Sequence, residues 1–474
     1  MSAFPQTGRP ADEILAAISD HRARDLKPDG RAFAFIYDAG QPLRDLAREA
    51  YAACMPINGL DPTVYPSARK LESAVVRACL ELVRAPEGAV GTATAGGTES
   101  VMLAVKAARD FARKTRPEIT RPAILLPETA HACFHKAAHY LGVEVIPVAV
   151  DPVTFRADLA DATAKMGPSV ILVVGSAPSY AHGVVDPIEG LAALAQANGA
   201  LMHVDACVGG FVLPFMRDNG APVPAFDFQV PGVTSLSMDI HKYGFAPKGV
   251  SVLVMRDRAL RDAQYFACAT WTGYTIVNST TLGSKSVAAV GAAFAVMQHL
   301  GREGYQGHAQ AMWSATELLI RAVESTPGLR MLGKPDMNLF AFTTDKGDVF
   351  ELADRLTELG WHVQPTYAFG PSPAHIHLTV DPGNAARAEA FARDLASAAK
   401  DLPPAEAPPP EVIGMLEAVA GGASGLDVSS VMRELGIADG QLPERAGMIH
   451  RLLNAATPRT REQMLVMFFG ELYS

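Results

Sequence analysis

Cysteine is scarce in this chain. Its five copies (Cys54, Cys79, Cys133, Cys207, Cys268) are scattered, odd in number and free of CxxC spacing. That pattern argues against a disulfide framework or a zinc site and predicts reduced thiols in a cytoplasmic protein. Long apolar runs are lacking too. The opening stretch, MSAFPQTGRPADEILAAISDHRARD, holds no apolar core of signal-peptide length. The most apolar helical candidate, Ser286 to Leu300, is short and rich in alanine and glycine. It reads as a core helix, so no integral membrane segment is expected. Excess positive charge is missing as well: the net charge of −9 argues against nucleic acid as a main partner. With 19% charged and 49% hydrophobic residues the chain is globular, and 474 residues suffice for a large core and a second lobe.

The stretch TSLSMDIHKYGFAPKGVSVLVM, Thr234 to Met255, organises the rest. His241 and Lys242 fall between an alternating run (Leu236, Met238, Ile240) and a second apolar run from Val250 to Met255. Both runs have strand character, and Gly244 and Gly249 punctuate the loop between them. A lysine at the mouth of a sheet is unusual, because lysine is seldom buried. Desolvation is expected to lower its pKa toward the range where a neutral amine attacks a carbonyl. The plain alternative is a surface lysine in a loop.

Residues 1 to 64 show little regular pattern beyond an amphipathic helix near Glu13–Arg22 and form an N-terminal arm. In it Tyr37 ends an aromatic run, with buried packing as its default reading. A helix follows from Ser67, then GTATAGGTESVMLAVKAARDFA. There Val101, Ala104, Val105 and Ala108 keep helical spacing, so Gly96, Gly97 and Thr98 open a helix. Free N–H groups and glycine at such a start suit a phosphate. Strands are predicted at Ala123–Leu126, Val143–Val148, Val170–Val174, Leu201–Asp205 and Ser235–Asp239. Helices near His131–Leu141, Leu159–Met166 and Ile188–Asn198 separate them. Repeated βα units with continuous apolar strands imply an α/β fold with a mostly parallel sheet covered by helices, with ligands at the strands' carboxyl ends.

Those ends carry His131 and His135, Ser176 and Tyr180, Asp205, and Lys242. Each has a bland explanation as a cap or loop residue, but their convergence at one edge matches what pyridoxal 5'-phosphate (PLP) requires. Lys242 would hold the cofactor as a Schiff base. Asp205 would keep the pyridine nitrogen protonated, and His131 would stack on the ring. Gly97, Thr98 and His241, with Ser176, would take the phosphate. Tyr180 and Lys248 remain as proton carriers or substrate contacts.

The blocks TAGGTES, PETAHACFHKAA, GSAPSYAHGVVDPI, HVDACVGGFVLPF and DIHKYGFAPKG resemble the sphingosine-1-phosphate lyases, a branch of the PLP-dependent group II decarboxylases. DPTVYPSARKLESAVVRACL and the closing FFGELYS extend the resemblance over nearly the whole chain. It implies a fold-type I enzyme and a homodimer with active sites at the subunit interface. It also implies Lys242, Asp205 and His131 in the roles given above, and a phosphate grip by Gly283 and Ser284 from the other subunit. Tyr37, Tyr180 and Lys248 match positions that act on substrate. The implied reaction is retro-aldol cleavage of a phosphorylated long-chain base, with Lys248 and Tyr37 moving protons. The chain departs from the family where a substrate-gripping histidine is usual, carrying Asp61, and where arginine is usual, carrying Lys285. A carboxylate at Asp61 would oppose a substrate phosphate by about 1 kcal/mol if exposed, and lysine lacks arginine's planar fork.

After Gly301 the pattern changes. Strands at Asn338–Thr343, Trp361–Gln364 and Ile376–Val380, with helices near Asp348–Leu359 and Ala385–Ala399, predict a small C-terminal α+β domain. The expected partition is an arm (1–64), a large PLP-binding domain (65–305), a small domain (306–400), and a proline-rich linker with a helical segment (401–474). His375 and His377 share a strand face, but no third ligand stands nearby, so no metal is expected. Two rivals to a carbon–carbon lyase are an amino-acid decarboxylase with the same cofactor and a non-catalytic PLP-fold binding protein. The substrate is expected to be a small or lipid-derived molecule.

Overall fold

The computed structural model describes residues 4–421, 443 and 445–473. Seven strands form its main sheet: β1 (Val90–Thr94), β2 (Ala123–Pro127), β3 (Glu144–Val148), β4 (Val170–Ser176), β5 (Leu201–Asp205), β6 (Ser235–Met238) and β7 (Ser251–Met255). Their order is β1-β7-β6-β5-β4-β2-β3, and β7 alone runs antiparallel to its neighbours. Every residue of β2, β4, β6 and β7 is buried. This is why β2, β4 and β7 read as largely apolar runs, whereas β6 alternates serine with Leu236 and Met238: both faces are covered, and each fully buried Val, Leu or Ile contributes ~1.5–3 kcal/mol.

Helix α1 (Ala11–His21) buries no residue, and the helices that follow are α2 (Gln41–Cys54), α3 (Pro66–Leu82), α4 (Gly97–Thr115), α5 (Cys133–Leu141), α6 (Leu159–Lys165), α7 (Ile188–Ala197), α8 (Leu213–Asp218), α9 (Arg258–Asp262) and α10 (Ala288–Ser325). Between α9 and α10 a hairpin, β8 (Phe266–Cys268) and β9 (Ile276–Asn278), stands outside the main sheet. Helix α10 is broken at Gly301, whose backbone leaves the helical region. Its first part packs Val296, Tyr305 and Met312 on the large core. Its last turns put Ala315, Leu319 and Val323 into a second core. Residue 305, where the sequence suggests a boundary, lies in α10 four residues past the break at Gly301.

The second core backs an antiparallel sheet, β10 (Leu329–Met331), β11 (Leu339–Thr344), β12 (Gln364–Thr366) and β13 (His375–Thr379), in the order β10-β11-β13-β12. Helices α11 (Val349–Glu358), α12 (Pro382–Ala385) and α13 (Ala388–Ala398) complete it. Asp348 starts α11 by accepting the N–H groups of Phe350 and Glu351. Among the described residues there follow α14 (Pro410–Ala420), α15 (Gly447–Ala455) and α16 (Pro458–Leu472). The helical reading of the C-terminal segment also covers 422–442 and 444, which lie outside the described residues. Among the described residues no helix is long and apolar enough to cross a membrane.

Two elements run ahead of the sequence reading. Strand β1 is made of small residues, VGTAT, that give little strand signal and acquire it by pairing with β7. Helix α2 buries only Leu43 and Ala47, so its apolar stripe is too narrow to stand out.

Candidate active site

The carboxyl ends of β4, β5 and β6 and the start of α4 surround a cavity of about 760 Å³. Gly97, Thr98, His131, Ser176, Asp205, His241, Lys242, Lys248, Tyr37 and Tyr180 all line it. The sequence placed these residues together, and the fold brings them together.

Lys242 follows β6, and its Nζ donates to Asp239 Oδ2 at 2.8 Å. The expectation of an amine made neutral by burial is overturned here. Burial does press the Lys242 pKa down, but the Asp239 carboxylate, helped by Cys207 and Tyr37, outweighs it and leaves the amine more basic than an ordinary lysine. Asp239 is itself buried, with 3% of its side chain exposed. Its Oδ1 accepts the Ser251 hydroxyl at 2.5 Å. Burial raises the Asp239 pKa, yet the charges of Lys242 and His241 and these hydrogen bonds bring it below the usual carboxylate value.

Asp205 ends β5. Its Oδ1 accepts the Cys207 N–H at 3.0 Å and the Ser237 hydroxyl at 3.3 Å. Oδ2 makes no hydrogen bond among the described residues, and the carboxylate lines the cavity. Gly97 is the first residue of α4, with no side chain capping the helix start. Its N-terminal N–H groups and positive dipole end thus border the cavity. A Cβ at Gly97 would lie 2.7 Å from Asp239 Oδ1 and 2.9 Å from Cys207 Sγ, so only glycine lets the helix approach this closely. His131 is exposed at the rim, its Nδ1 accepting the Cys133 N–H at 3.2 Å. His241 is held below the usual histidine pKa, first by burial and then by the Lys248 and Lys242 charges, against the pull of Asp239.

The substrate-side tyrosines pack against the large core and reach toward the small sheet. Tyr37 packs edge-on against Tyr243 at 5.0 Å, and the neighbouring Asp38 N–H donates to Asp381 Oδ2 at 2.9 Å. Tyr180 stacks near His377 of β13 at 4.2 Å and donates to Gln364 of β12 at 2.8 Å. Its loop turns tightly at Gly183 (φ +71), where a Cβ would meet the Leu339 carbonyl at 2.0 Å. Lys248 Nζ stands 4.8 Å over the Tyr37 ring and donates to the His241 carbonyl at 3.2 Å. Burial raises the Tyr37 pKa, and Tyr180, Asp239 and Asp381 add to it against Lys242, so the phenol keeps its proton. Lost hydration, then the Lys242 charge, lower the Lys248 pKa against the opposing Asp239.

Three sequence candidates lie elsewhere in this single chain. Asp61 is exposed and turned into its own loop, accepting the Thr63 N–H at 2.8 Å and its hydroxyl at 2.6 Å. Gly283 and Ser284 do not line the cavity. Lys285 instead reaches Glu72 at 3.5 Å. Sequence reasoning missed Asp239, Glu99 and Gln364. Glu99 ties the helix start to the 281 segment, its Oε2 accepting the Ala95 N–H at 2.6 Å and its Oε1 the Thr281 N–H at 2.8 Å. The acidic residue two places before the His-Lys pair was the available signal for Asp239.

This donor set fits PLP. One cavity offers a lysine amine, a carboxylate with an open oxygen for a protonated ring nitrogen, and an uncapped helix start for a phosphate. Comparison with known proteins agrees. The profile of the pyridoxal-dependent decarboxylase conserved domain matches residues 3–345. A profile of the C-terminal HTH domain of pyridoxal-dependent enzymes matches 393–471. The chain is 35% identical to the sphingosine-1-phosphate lyase of Oryza sativa subsp. japonica, over 90% of this chain and 79% of that one. It is 39% identical to that of Saccharomyces cerevisiae, over 76% and 62%. The solved sphingosine-1-phosphate lyase of Burkholderia pseudomallei superimposes with TM-score 0.81 at 34% identity, covering 85% of this chain and 93% of that one. Lactobacillus brevis glutamate decarboxylase, at 21% identity and TM-score 0.75, shares the fold. The chain belongs to the pyridoxal-dependent decarboxylase family, a fold-type I enzyme whose cofactor is pyridoxal phosphate.

Proposed function

We propose that this enzyme is a carbon–carbon lyase that cleaves a phosphorylated long-chain base such as sphingosine-1-phosphate to a fatty aldehyde and phosphoethanolamine. Bound in the cavity, PLP supplies an electron sink for the pair left on C2 when the C2–C3 bond breaks. Lys242 would hold it, Asp205 would keep its ring nitrogen protonated, and Gly97, Thr98, Ser176 and His241 would hold its phosphate. His131 would cover the ring at the rim.

The observation that carries the reading is the pairing of Lys248 with Tyr37 beside Lys242. Retro-aldol cleavage needs a base for the C3 hydroxyl, whereas loss of CO2 from an amino acid needs none to break its bond. The Lys248 amine, made less basic, is the better proton acceptor; Tyr37, which keeps its proton, is the better donor. Lys248 would take the hydroxyl proton and Tyr37 would return one to C2. Tyr180, anchored by Gln364, would orient the substrate.

We also propose a homodimer in which the partner's copies of Gly283, Ser284 and Asp61 complete each site. Supporting it are the exposed apolar residues of the β8–β9 hairpin, among them Phe266 (54%) and Val277 (57%). Light scattering that returned the mass of one chain would remove this part. The five unpaired cysteines favour a cytoplasmic setting, which cell fractionation would check.

The test is direct. PLP-loaded protein incubated with sphingosine-1-phosphate should release long-chain aldehyde and phosphoethanolamine in equal amounts, and Lys242→Ala should release neither. CO2 from amino acids without aldehyde from the phosphorylated base would replace this reading with the decarboxylase one.

A further inference from the structure

The reaction proposed above leaves Asp239 without a task, although it is the ion-pair partner of the central lysine. A buried carboxylate costs several kcal/mol unless it is paired and hydrogen-bonded. Asp239 is both: Ser251 donates to one oxygen at 2.5 Å and Lys242 to the other at 2.8 Å. His241 Nε2 is farther away, at 3.7 Å, and burial lowers its pKa. The start of α4 closes the remaining side, with Gly97 against both carboxylate oxygens. Lys242 is therefore the nearest charged partner of the carboxylate, which sits where that partner must react.

We propose that Asp239, fixed by Ser251, is a positioning residue that keeps the Lys242 nitrogen protonated and thereby sets the pH at which the chain takes up its cofactor. The inference rests on Lys242 as the cofactor-holding residue. Joining an amine to the cofactor aldehyde requires the nitrogen's unshared pair. The ammonium must first release a proton to solvent; nitrogen then adds to the aldehyde carbon. A carbon–nitrogen double bond forms as the carbon–oxygen double bond breaks, and the oxygen leaves as water. Each pH unit by which the carboxylate stabilises the ammonium lowers the free amine tenfold at a given pH. The other titratable groups about this pair include His241 and Lys248 on the same loop, Cys207 and Asp205 at the end of β5, Cys133 on α5, Tyr180 on the loop after β4, and Tyr37 on the arm. Among the groups acting on Lys242, Asp239 has the largest electrostatic effect.

The experiment follows PLP uptake by cofactor-free protein across pH by absorbance, with borohydride reduction and mass spectrometry to locate the adduct. Asp239→Asn keeps the shape and one acceptor while removing the charge. Its uptake profile should move at least one unit to lower pH, with uptake at neutral pH about tenfold faster. A profile coincident with wild type, with the adduct still on Lys242, overturns this inference alone. An adduct on another lysine in wild type overturns it together with the reading of Lys242. Should the variant not fold, labelling of cofactor-free wild-type protein with formaldehyde and borohydride gives the same answer. Lys242 should label with a midpoint at higher pH than the exposed Lys114, and a lower midpoint would refute the proposal.

Discussion

Gly97→Ala tests whether the start of α4 is fitted to the buried ion pair. The added methyl carbon would lie 2.7 and 2.8 Å from the two Asp239 oxygens and 2.9 Å from Cys207 Sγ. None of the three can swing away freely, because Asp239 is tied to Ser251 and Lys242, and Cys207 is buried. Overpacking of this kind costs about 1–3 kcal/mol. Alanine recovers up to ~1 kcal/mol of helix propensity, less at a first helical position. The net loss should be about 1–2 kcal/mol of folding stability, roughly a 5- to 30-fold fall in the folding equilibrium constant, and PLP binding should weaken as far as the helix start is displaced. Gly96→Ala is the matched control. Its backbone is extended (φ 163), and its Cβ would meet only His241 Cε1 at 3.6 Å, an ordinary contact. That change should stay within about 0.5 kcal/mol. PLP titration by absorbance and thermal unfolding of the cofactor-free proteins report both effects. A Gly97→Ala protein that matches wild type, or a Gly96→Ala protein that is the more damaged, would refute the reasoning.

Tyr37→Phe keeps the ring against Tyr243 and beneath Lys248 while removing the proton donor. Turnover should fall by about 10²- to 10⁴-fold with the PLP absorbance unchanged; unaltered turnover would return Tyr37 to a packing role. Stability should also respond to pH in two opposed ways. Burial, against the backbone N–H groups they accept, raises Asp186 to about 6 and Asp381 to about 7. The folded state therefore holds these protons more tightly, so their contribution is complete below the usual carboxylate pKa of about 4 and is lost as pH rises through 6 to 7. Burial presses His182 and His377 down to about 3 and His203 to about 4. Their contribution is present above the usual histidine pKa of about 6.5 and is lost as pH falls toward 3 to 4. In urea unfolding, Asp381→Asn should flatten the decline between pH 5 and 8, by up to about 2.7 kcal/mol. An unchanged slope would show that Asp381 ionises freely in the folded chain.

What the sequence made legible follows from how each group earns its place. Strands β2, β4 and β7 are announced by apolar runs because the sheet is buried on both faces, and the carboxyl ends of β4, β5 and β6 then place Ser176, Asp205 and Lys242 on one edge. Strand β1 was hidden because VGTAT is defined by its neighbour β7 rather than by its own side chains. Asp239 reads as a strand-end residue beside a motif. Its pairing depends on Ser251 across β7 and on the glycine opening α4, which no local window contains. Gln364 was hidden for a similar reason, since it meets Tyr180 from a sheet some 180 residues onward. The sign of the Lys242 shift was misjudged because burial was legible and the carboxylate beside it was not.

The cavity is lined from the arm and the large domain, and the small sheet backs it through Tyr180. Lys242, Asp205 and Gly97 stand on the large sheet, whereas Tyr180 leans on β12 and β13 and Tyr37 on the Asp38–Asp381 contact. Changes accumulating in the small sheet can reshape the wall that meets the substrate while the cofactor's anchors stay untouched. Such a partition lets one inherited chemistry be turned toward new molecules by drift in a separate part of the chain. It would allow a lineage to exchange cleavage for decarboxylation, or one chain length for another, without passing through a form that has lost its cofactor.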